Sequence, residues 1–187
     1  MKPRIIYIHG NQATHWSFPW APSLKAEFEK LGFSTFFETF PDSVIARAKY
    51  WLPFLEKHIQ AGEDDILVGW SSGGTAAMRY AETHKIKGSV LISPSYTDLD
   101  DDLEKQSGWY KTPWDWEAIK KNQEQIALFY ADNDPFIPQA EFETIAEKLQ
   151  PKVVKIPGAG HFLGQGTFPQ VVQYVQETYV GADKMEA

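Results

Sequence analysis

A serine between two nearby glycines is the feature of this sequence that most directly suggests chemistry. Ser71 lies in Gly69-Trp70-Ser71-Ser72-Gly73, between the apolar run 66–68 and an alanine-rich segment. This order predicts a buried strand, a tight turn and a helix, with Ser71 at the apex of the turn. The N–H of Ser72 would then be free at a helix start, where partial positive charge accumulates. Ser71 is a candidate nucleophile, although glycine-rich turns without a function carry the same pattern.

Two later loops contain the groups that a serine nucleophile needs. Asp132 and Asp134 follow the apolar run 126–130, and His161 follows the run 153–156. An imidazole accepts the proton of the serine, and a carboxylate orients the imidazole. The chain order Ser, Asp, His is that of α/β-hydrolase triads. We prefer Asp134 as the acid because it directly precedes a turn proline. Asp132, which fits an Asx-turn, is the alternative.

The developing negative charge on a substrate carbonyl oxygen requires preorganised N–H donors. We assign one donor to the backbone of Ser72. The loop after the first strand, His9-Gly10-Asn11, would supply the second donor through the N–H of Asn11. His9 either polarises this loop or only forms hydrogen bonds within it. Together with Trp70 in the turn, His9 is also a candidate for the wall of the substrate pocket.

The segment 95–115 has no clear period and is rich in aromatic and acidic residues. It lies where α/β-hydrolases commonly carry a lid. Trp109 and Trp114 either line an acyl or aromatic pocket beside Ser71 or cover one end of the sheet. The acidic residues of 98–104 lack the glycine and the spacing of an EF-hand, so we expect a solvated loop there rather than a calcium site.

Short apolar runs alternate with helical patterns along the chain. The predicted strands are 4–9, 33–40, 66–68, 89–92, 126–130 and 153–156. The predicted helices are 23–31, 44–58 with a kink or break at Pro53, 74–84, 116–123, 139–149 and 169–179. This alternation is typical of a parallel sheet covered on both faces. We expect one α/β domain over residues 1–187, with about six mostly parallel strands, helices on both faces and a frayed tail at 181–187.

The composition argues against several other classes of protein. The chain has 18 basic and 25 acidic residues, a net charge of −7, which disfavours nucleic acid or an anionic membrane as the main partner. It has no cysteine, and no metal-ligand or dinucleotide motif has the required spacing, so we expect no metal and no cofactor. Because the first apolar run is too short for a signal peptide, we expect a cytoplasmic protein. We also expect that it has no membrane span. It would be a monomer or a small homo-oligomer.

The chain resembles the small serine hydrolases of the retinoblastoma-binding-protein-nine type, which include bacterial members. The segments that carry the resemblance are Trp51-Leu52-Pro53-Phe54, Ser71-Ser72-Gly73, 76–84, Pro113-Trp114, Asp134-Pro135-Phe136 and Gly160-His161-Phe162. The resemblance implies a compact α/β-hydrolase fold without the first two strands of the larger enzymes. It also implies a triad at Ser71, Asp134 and His161.

This sequence departs from the family pattern at two places. Trp70 stands where relatives have histidine, which changes the pocket wall but not the mechanism. The animal relatives are named for a Leu-x-Cys-x-Glu contact with a pocket protein. Because this chain has no cysteine, that binding role is not carried over.

We therefore expect a cofactor-independent serine hydrolase that cleaves a carboxylic ester or an amide through an acyl-enzyme intermediate. Ser71 would attack, His161 would transfer the proton and Asp134 would orient His161. The alternative is a non-catalytic interaction module on a hydrolase scaffold, with the aromatic segment as its contact surface. An exposed apolar patch around Trp109 and Trp114, with a closed serine site, would favour that alternative.

Overall fold

A single parallel sheet organises the chain in the computed structural model, which describes residues 2–181. The strands are β1 (Arg4–Ile8), β2 (Ser34–Phe37), β3 (Asp65–Trp70), β4 (Gly88–Ile92), β5 (Gln125–Ala131) and β6 (Lys152–Ile156). Their order across the sheet is β2-β1-β3-β4-β5-β6, and every neighbouring pair is parallel. The six-stranded α/β prediction is confirmed. Apart from Gly181, the predicted tail at 181–187 lies outside the described residues.

Helices cover both faces of the sheet. They are α1 (Ala21–Lys30), α2 (Ala48–Pro53), α3 (Ser72–Ala81), α4 (Asp102–Ser107), α5 (Trp116–Lys121), α6 (Gln139–Leu149) and α7 (Pro169–Val175). α2 and α7 continue as π-helical segments, Phe54–Ile59 and Gln176–Val180. Within the described residues, no helix is long and apolar enough to cross a membrane.

The two cores of the molecule explain why the strands are continuous apolar runs. In β1, Ile6 and Ile8 pack into one core and Ile5 and Tyr7 into the other, because successive side chains of a strand point to opposite faces. Buried side chains of α2, α3, α5 and α6 fill the first core, whereas those of α1 and α7 fill the second. A strand buried on both faces has no polar side to alternate with.

The predicted helix over 44–58 begins later, at Ala48, and changes form at Pro53. Pro53 has no backbone N–H to donate within a helix. The residues before Ala48 form a turn that is held by one carboxylate. Asp42 accepts hydrogen bonds from the backbone N–H of Arg47 at 3.1 Å and from its guanidinium at 2.8 Å. Helical periodicity alone does not reveal a turn that is closed by side-chain hydrogen bonds of this kind.

The segment 95–115 contains a helix, α4, that the sequence analysis missed. The side chain of Asp101 caps it by accepting hydrogen bonds from the N–H groups of Leu103 at 2.8 Å and Glu104 at 3.1 Å. Aspartate is a preferred N-cap residue because its carboxylate satisfies N–H groups that lack partners within the helix. The expectation of a solvated acidic loop over 98–104 was therefore wrong for residues 102–104, which belong to α4.

Arg79 of α3 anchors the far end of this segment. Its guanidinium donates hydrogen bonds to the carbonyl oxygens of Trp109 and Thr112, both at 2.7 Å, and lies 3.6 Å from the ring centroid of Trp114. It also pairs with Glu82 at 2.8 Å. With only 6% of its side chain exposed, Arg79 makes these contacts away from water, where charge-assisted hydrogen bonds are strongest.

Glu141 of α6 anchors the near end of the segment. Its carboxylate accepts hydrogen bonds from the N–H groups of Tyr96 at 2.7 Å and Thr97 at 3.0 Å, and from the Thr97 hydroxyl at 2.6 Å. The indole N–H of Trp114 then donates to the carbonyl oxygen of Tyr96 at 2.8 Å, joining the two ends. These contacts favour a segment 95–115 that is fixed in place over one that moves as a lid.

We predict that Arg79→Met lowers the free energy of unfolding by about 3–5 kcal/mol, because it leaves Glu82 half-buried without its counter-charge and several carbonyl oxygens without a donor. Urea unfolding followed by tryptophan fluorescence measures the loss. The matched control is Arg47→Met, which breaks a more exposed ion pair with Asp42 and should cost about 1 kcal/mol or less. Equal losses in the two variants would contradict the anchoring role of Arg79.

Candidate active site

Ser71 occupies a sharp turn between β3 and α3. Its backbone has φ 55° and ψ −123°, a conformation that residues with a side chain rarely adopt. The flanking glycines make the turn possible: a Cβ at Gly69 would collide with the carbonyl oxygen of Gly73, and a Cβ at Gly73 would collide with that of Ile8. The backbones of three elements therefore meet directly beneath Ser71.

The N–H of Ser72 is the first of helix α3, so it has no acceptor within the helix. On either side of it the backbone is fixed. The N–H of Ser71 donates to the carbonyl oxygen of Ile92 at 2.8 Å, and the Ser71 carbonyl oxygen accepts from the N–H of Gly74 at 2.9 Å. The positive end of the helix thus lies next to the serine, as an oxyanion donor requires.

A cavity of about 360 Å³ opens beside Ser71. Ser71 and His161 both line it, together with Trp70. The rest of its wall comes from members of four segments: 10–14, 99–104, 135–137 and 161–163. All of these except 99–104 belong to the turn of Ser71 or to loops that follow strands β1, β5 and β6, as expected for the carboxyl edge of a parallel sheet.

The side chains of Asp134 and His161 are in direct contact. Asp134 Oδ2 lies 2.8 Å from His161 Nδ1, and both side chains are buried. The other oxygen, Oδ1, accepts from the N–H groups of Phe136 at 3.0 Å and Ile137 at 3.1 Å. Burial acts to raise the pKa of Asp134, but the hydrogen bond and charge of His161 and the two N–H groups outweigh it, so the pKa is lowered. Asp134 is therefore a carboxylate, and it contacts His161 through Nδ1 rather than Nε2.

Ser93 is a further member of the site that the sequence analysis missed. Its hydroxyl donates to Asp134 Oδ2 at 2.9 Å, and its side chain is buried at the end of β4. Its position in the sequence could have indicated this role. In the sheet, β4 lies between β3, which precedes Ser71, and β5, which precedes Asp134. Ser93 thus bonds to the oxygen of Asp134 that contacts His161, whereas Phe136 bonds to the other oxygen.

Asp132, the alternative acid, has a different role. Its Oδ1 accepts a hydrogen bond from the N–H of Gly158 at 2.9 Å, and Asn133 Oδ1 accepts from the N–H of Gly160 at 2.8 Å. These contacts tie the loop after β5 to the loop that carries His161. Asp132 therefore shapes the loop that carries His161, and the geometry favours Asp134 as the partner of His161.

Two buried tryptophans hold the loop after β6 that carries His161, which we call the histidine loop. The indole N–H of Trp70 donates to the carbonyl oxygen of His161 at 3.2 Å, and that of Trp20 donates to the carbonyl oxygen of Phe162 at 3.0 Å. The ring of Trp70 also lies 5.6 Å from the imidazole of His161. Trp70 thus supports His161 as well as lining the cavity.

His9 lies in the core and orients the loop after β1. Its Nε2 accepts a hydrogen bond from the N–H of Phe40 at 2.8 Å, so the proton is on Nδ1, which donates to the carbonyl oxygen of Gly10 at 2.7 Å. Burial lowers the pKa of His9 to about 4, which keeps the ring neutral near pH 7. The Gly10 carbonyl and the Asn11 N–H belong to one peptide unit and point in opposite directions. His9 therefore fixes the direction of the Asn11 N–H.

Three residues proposed for the pocket wall do not line the cavity within the described part of the chain. His9 is wholly buried beneath the loop. Trp109 is also buried, and Trp114 packs between Arg79 and Trp116. The apolar part of the wall is instead formed by Trp70, by Phe136 and by smaller side chains. The structure therefore favours the second interpretation of Trp109 and Trp114, in which they cover one end of the sheet.

Within residues 2–181, no group of three or more His, Asp, Glu or Cys side chains is arranged to hold a metal ion. The chemistry that the described residues support is that of a serine hydroxyl, an imidazole and a carboxylate. The backbone N–H of Ser72, at the start of α3, is an electrophilic group next to Ser71. This arrangement is suited to nucleophilic attack on a carbonyl group.

Serine hydrolases are among the known proteins to which this chain is similar. The family model described as "Serine hydrolase" matches residues 6–177. Serine hydrolase RBBP9 of Rattus norvegicus is 40% identical over 154 residues, which are 82% of this chain and 81% of that protein. The family match includes the positions of Ser71, Asp134 and His161.

Solved structures share the fold at lower identity. The ydeN gene product of B. subtilis superposes with a TM-score of 0.83 at 21% identity, over 93% of this chain and 97% of that one. Est1E from Butyrivibrio proteoclasticus has a TM-score of 0.73 at 16% identity, over 100% of this chain and 89% of that one. These neighbours are similar in fold, and the family match is decisive for classification. The chain belongs to the serine hydrolase family.

Proposed function

We propose that this protein hydrolyses a small carboxylic ester or an amide through an acyl-enzyme intermediate formed on Ser71. Membership of the serine hydrolase family supports hydrolysis in general. The single observation that carries the finer proposal is the buried contact between Asp134 and His161 at the edge of the cavity that Ser71 lines. A carboxylate in that position selects the tautomer of His161 that accepts a proton on Nε2.

In the first step, Ser71 Oγ attacks the carbonyl carbon while its proton passes to Nε2 of His161. The oxyanion that forms is stabilised by the N–H groups of Ser72 and Asn11. When the tetrahedral intermediate collapses, His161 returns the proton to the departing alcohol or amine. Water then attacks the acyl group by the same route, releasing the acid and restoring the hydroxyl of Ser71.

The cavity wall supports a neutral substrate of modest size. Phe136 and Leu163 are exposed at its rim, with 55% and 43% of their surface accessible, and offer apolar contact. A second part of the wall includes Asp101 and Glu104, and no lysine or arginine of the described chain lines the cavity. An apolar group suits the first wall, whereas a carboxylate near the second would be repelled.

The alternative, a non-catalytic interaction module, requires an exposed aromatic surface and a closed serine site. Trp109 is buried and Trp114 is half-buried against Arg79, while Ser71 opens on a cavity. These observations do not favour the alternative.

We predict that Asp134→Asn lowers kcat for a p-nitrophenyl ester by about 10⁴ while the protein stays folded, because the amide selects the wrong tautomer of His161. The matched control is Asp132→Asn, which keeps an oxygen that accepts from Gly158 and should retain near-normal kcat. Circular dichroism verifies the fold of both variants. A fall in kcat for Asp132→Asn, with little change for Asp134→Asn, would transfer the role of the acid to Asp132.

We also predict discrimination by substrate charge. At pH 8, kcat/KM for p-nitrophenyl hexanoate should exceed that for p-nitrophenyl hemiglutarate, an anionic ester of similar length, by about tenfold or more because of Asp101 and Glu104. Added salt should narrow the difference, since it screens partly exposed charges. Equal kcat/KM values for the two esters at low salt would contradict this view of the wall.

A further inference from the structure

Glu104 lines the cavity, and apart from its charge it takes no part in the mechanism above. It lies in α4, within the segment 95–115, and is separated by 93 positions from the residue it contacts. Its Oε1 accepts a hydrogen bond from the side-chain amide of Asn11 at 2.7 Å. Asn11 is the residue whose backbone N–H we propose as an oxyanion donor. The contact therefore joins the segment 95–115 to the loop after β1, residues 9–11, which we call the oxyanion loop.

A chain of hydrogen bonds holds Glu104 in place. The hydroxyl of Tyr110 donates to its Oε2 at 3.2 Å, and the same hydroxyl lies 2.7 Å from Ser95 Oγ. The hydroxyl of Thr75, in α3, donates to the carbonyl oxygen of Ser95 at 2.9 Å. Burial raises the pKa of Glu104, although the hydrogen bonds from Tyr110 and Asn11 oppose that effect. Glu104 is thus fixed to the helix that begins next to Ser71.

The peptide between Gly10 and Asn11 is held from both ends. On one side, His9 and Thr14 donate hydrogen bonds to the carbonyl oxygen of Gly10. On the other, Glu104 accepts a hydrogen bond from the side chain of Asn11, a residue that is only 8% exposed. A side chain fixed at its tip restricts rotation of its own backbone, and an oxyanion donor must be oriented before the charge develops.

We propose that Glu104 is a positioning residue that acts through Asn11 to orient the oxyanion donor, so that the segment 95–115 serves as part of the catalytic framework. This inference rests on the proposed function. Because an oxyanion exists only in the transition state and the intermediates, a misdirected donor lowers kcat and leaves KM nearly unchanged. A negative charge is not required, since an amide oxygen at position 104 also accepts from Asn11.

The test compares Glu104→Ala, Glu104→Gln and Asn11→Ala, which retains its backbone N–H, in steady-state hydrolysis of p-nitrophenyl hexanoate. We expect Glu104→Ala to lower kcat by about 10- to 100-fold, somewhat less than the loss of a complete donor, with little change in KM. A trifluoromethyl ketone that mimics the tetrahedral intermediate should bind more weakly by the same factor. Glu104→Gln should recover most of kcat. Gln106→Ala, on the same helix, should remain at the wild-type rate.

The double variant Asn11→Ala/Glu104→Ala, compared with the two single variants, separates a positioning role of Glu104 from other roles. If Glu104 acts through Asn11, kcat of the double variant falls no further than that of Asn11→Ala, because the shared contact is lost only once. Losses that multiply in the double variant, or a rise in KM with unchanged kcat for Glu104→Ala, would overturn the inference.

The failure of this inference is distinguishable from that of the proposed function. A wild-type protein that hydrolyses the ester but shows multiplied losses in the double variant refutes only the role of Glu104. A wild-type protein that turns over neither esters nor amides refutes the proposed function, and this inference with it.

Discussion

The close contact of three backbones beneath Ser71 is the constraint on which the rest of the site depends. Gly69 and Gly73 allow β3, α3 and the end of β1 to approach until no side chain fits between them. Ser71 adopts an unusual backbone conformation at this contact, and it lines the cavity. It also brings the start of α3 next to the loop that carries Asn11. The close contact of these three backbones thus positions the candidate nucleophile and both candidate oxyanion donors.

The other parts of the site are held by buried side chains that bond to backbone groups of loops. Trp70 and Trp20 donate to carbonyl oxygens of the histidine loop, and His9 donates to a carbonyl oxygen of the oxyanion loop. Arg79 and Glu141 hold the two ends of the segment 95–115 in the same manner. Loops alone are too mobile for a catalytic geometry, and each of these contacts removes part of that freedom.

The sheet and most helices could be predicted because their signals are local. Apolar runs identify strands, and the carboxyl edge of a parallel sheet brings Asp134 and His161 together once the strand order is known. The contacts of Arg79 and of Glu104 were not predictable, because each joins side chains to groups far away in the chain. The helix α4 was missed although Asp101 is a suitable cap, since six residues between loops produce no periodic pattern. Trp109 and Trp114 show that aromatic content does not distinguish a pocket wall from a packed core.

The most direct measurement is labelling of the native protein with a fluorophosphonate probe, followed by intact-mass analysis and comparison with Ser71→Ala and with heat-unfolded protein. An activated serine next to His161 predicts one adduct on folded wild-type protein, mapped to Ser71, and none on either comparison sample. Folded wild-type protein that remains unlabelled, or Ser71→Ala protein that labels equally well, would contradict the account of Ser71 as an activated nucleophile.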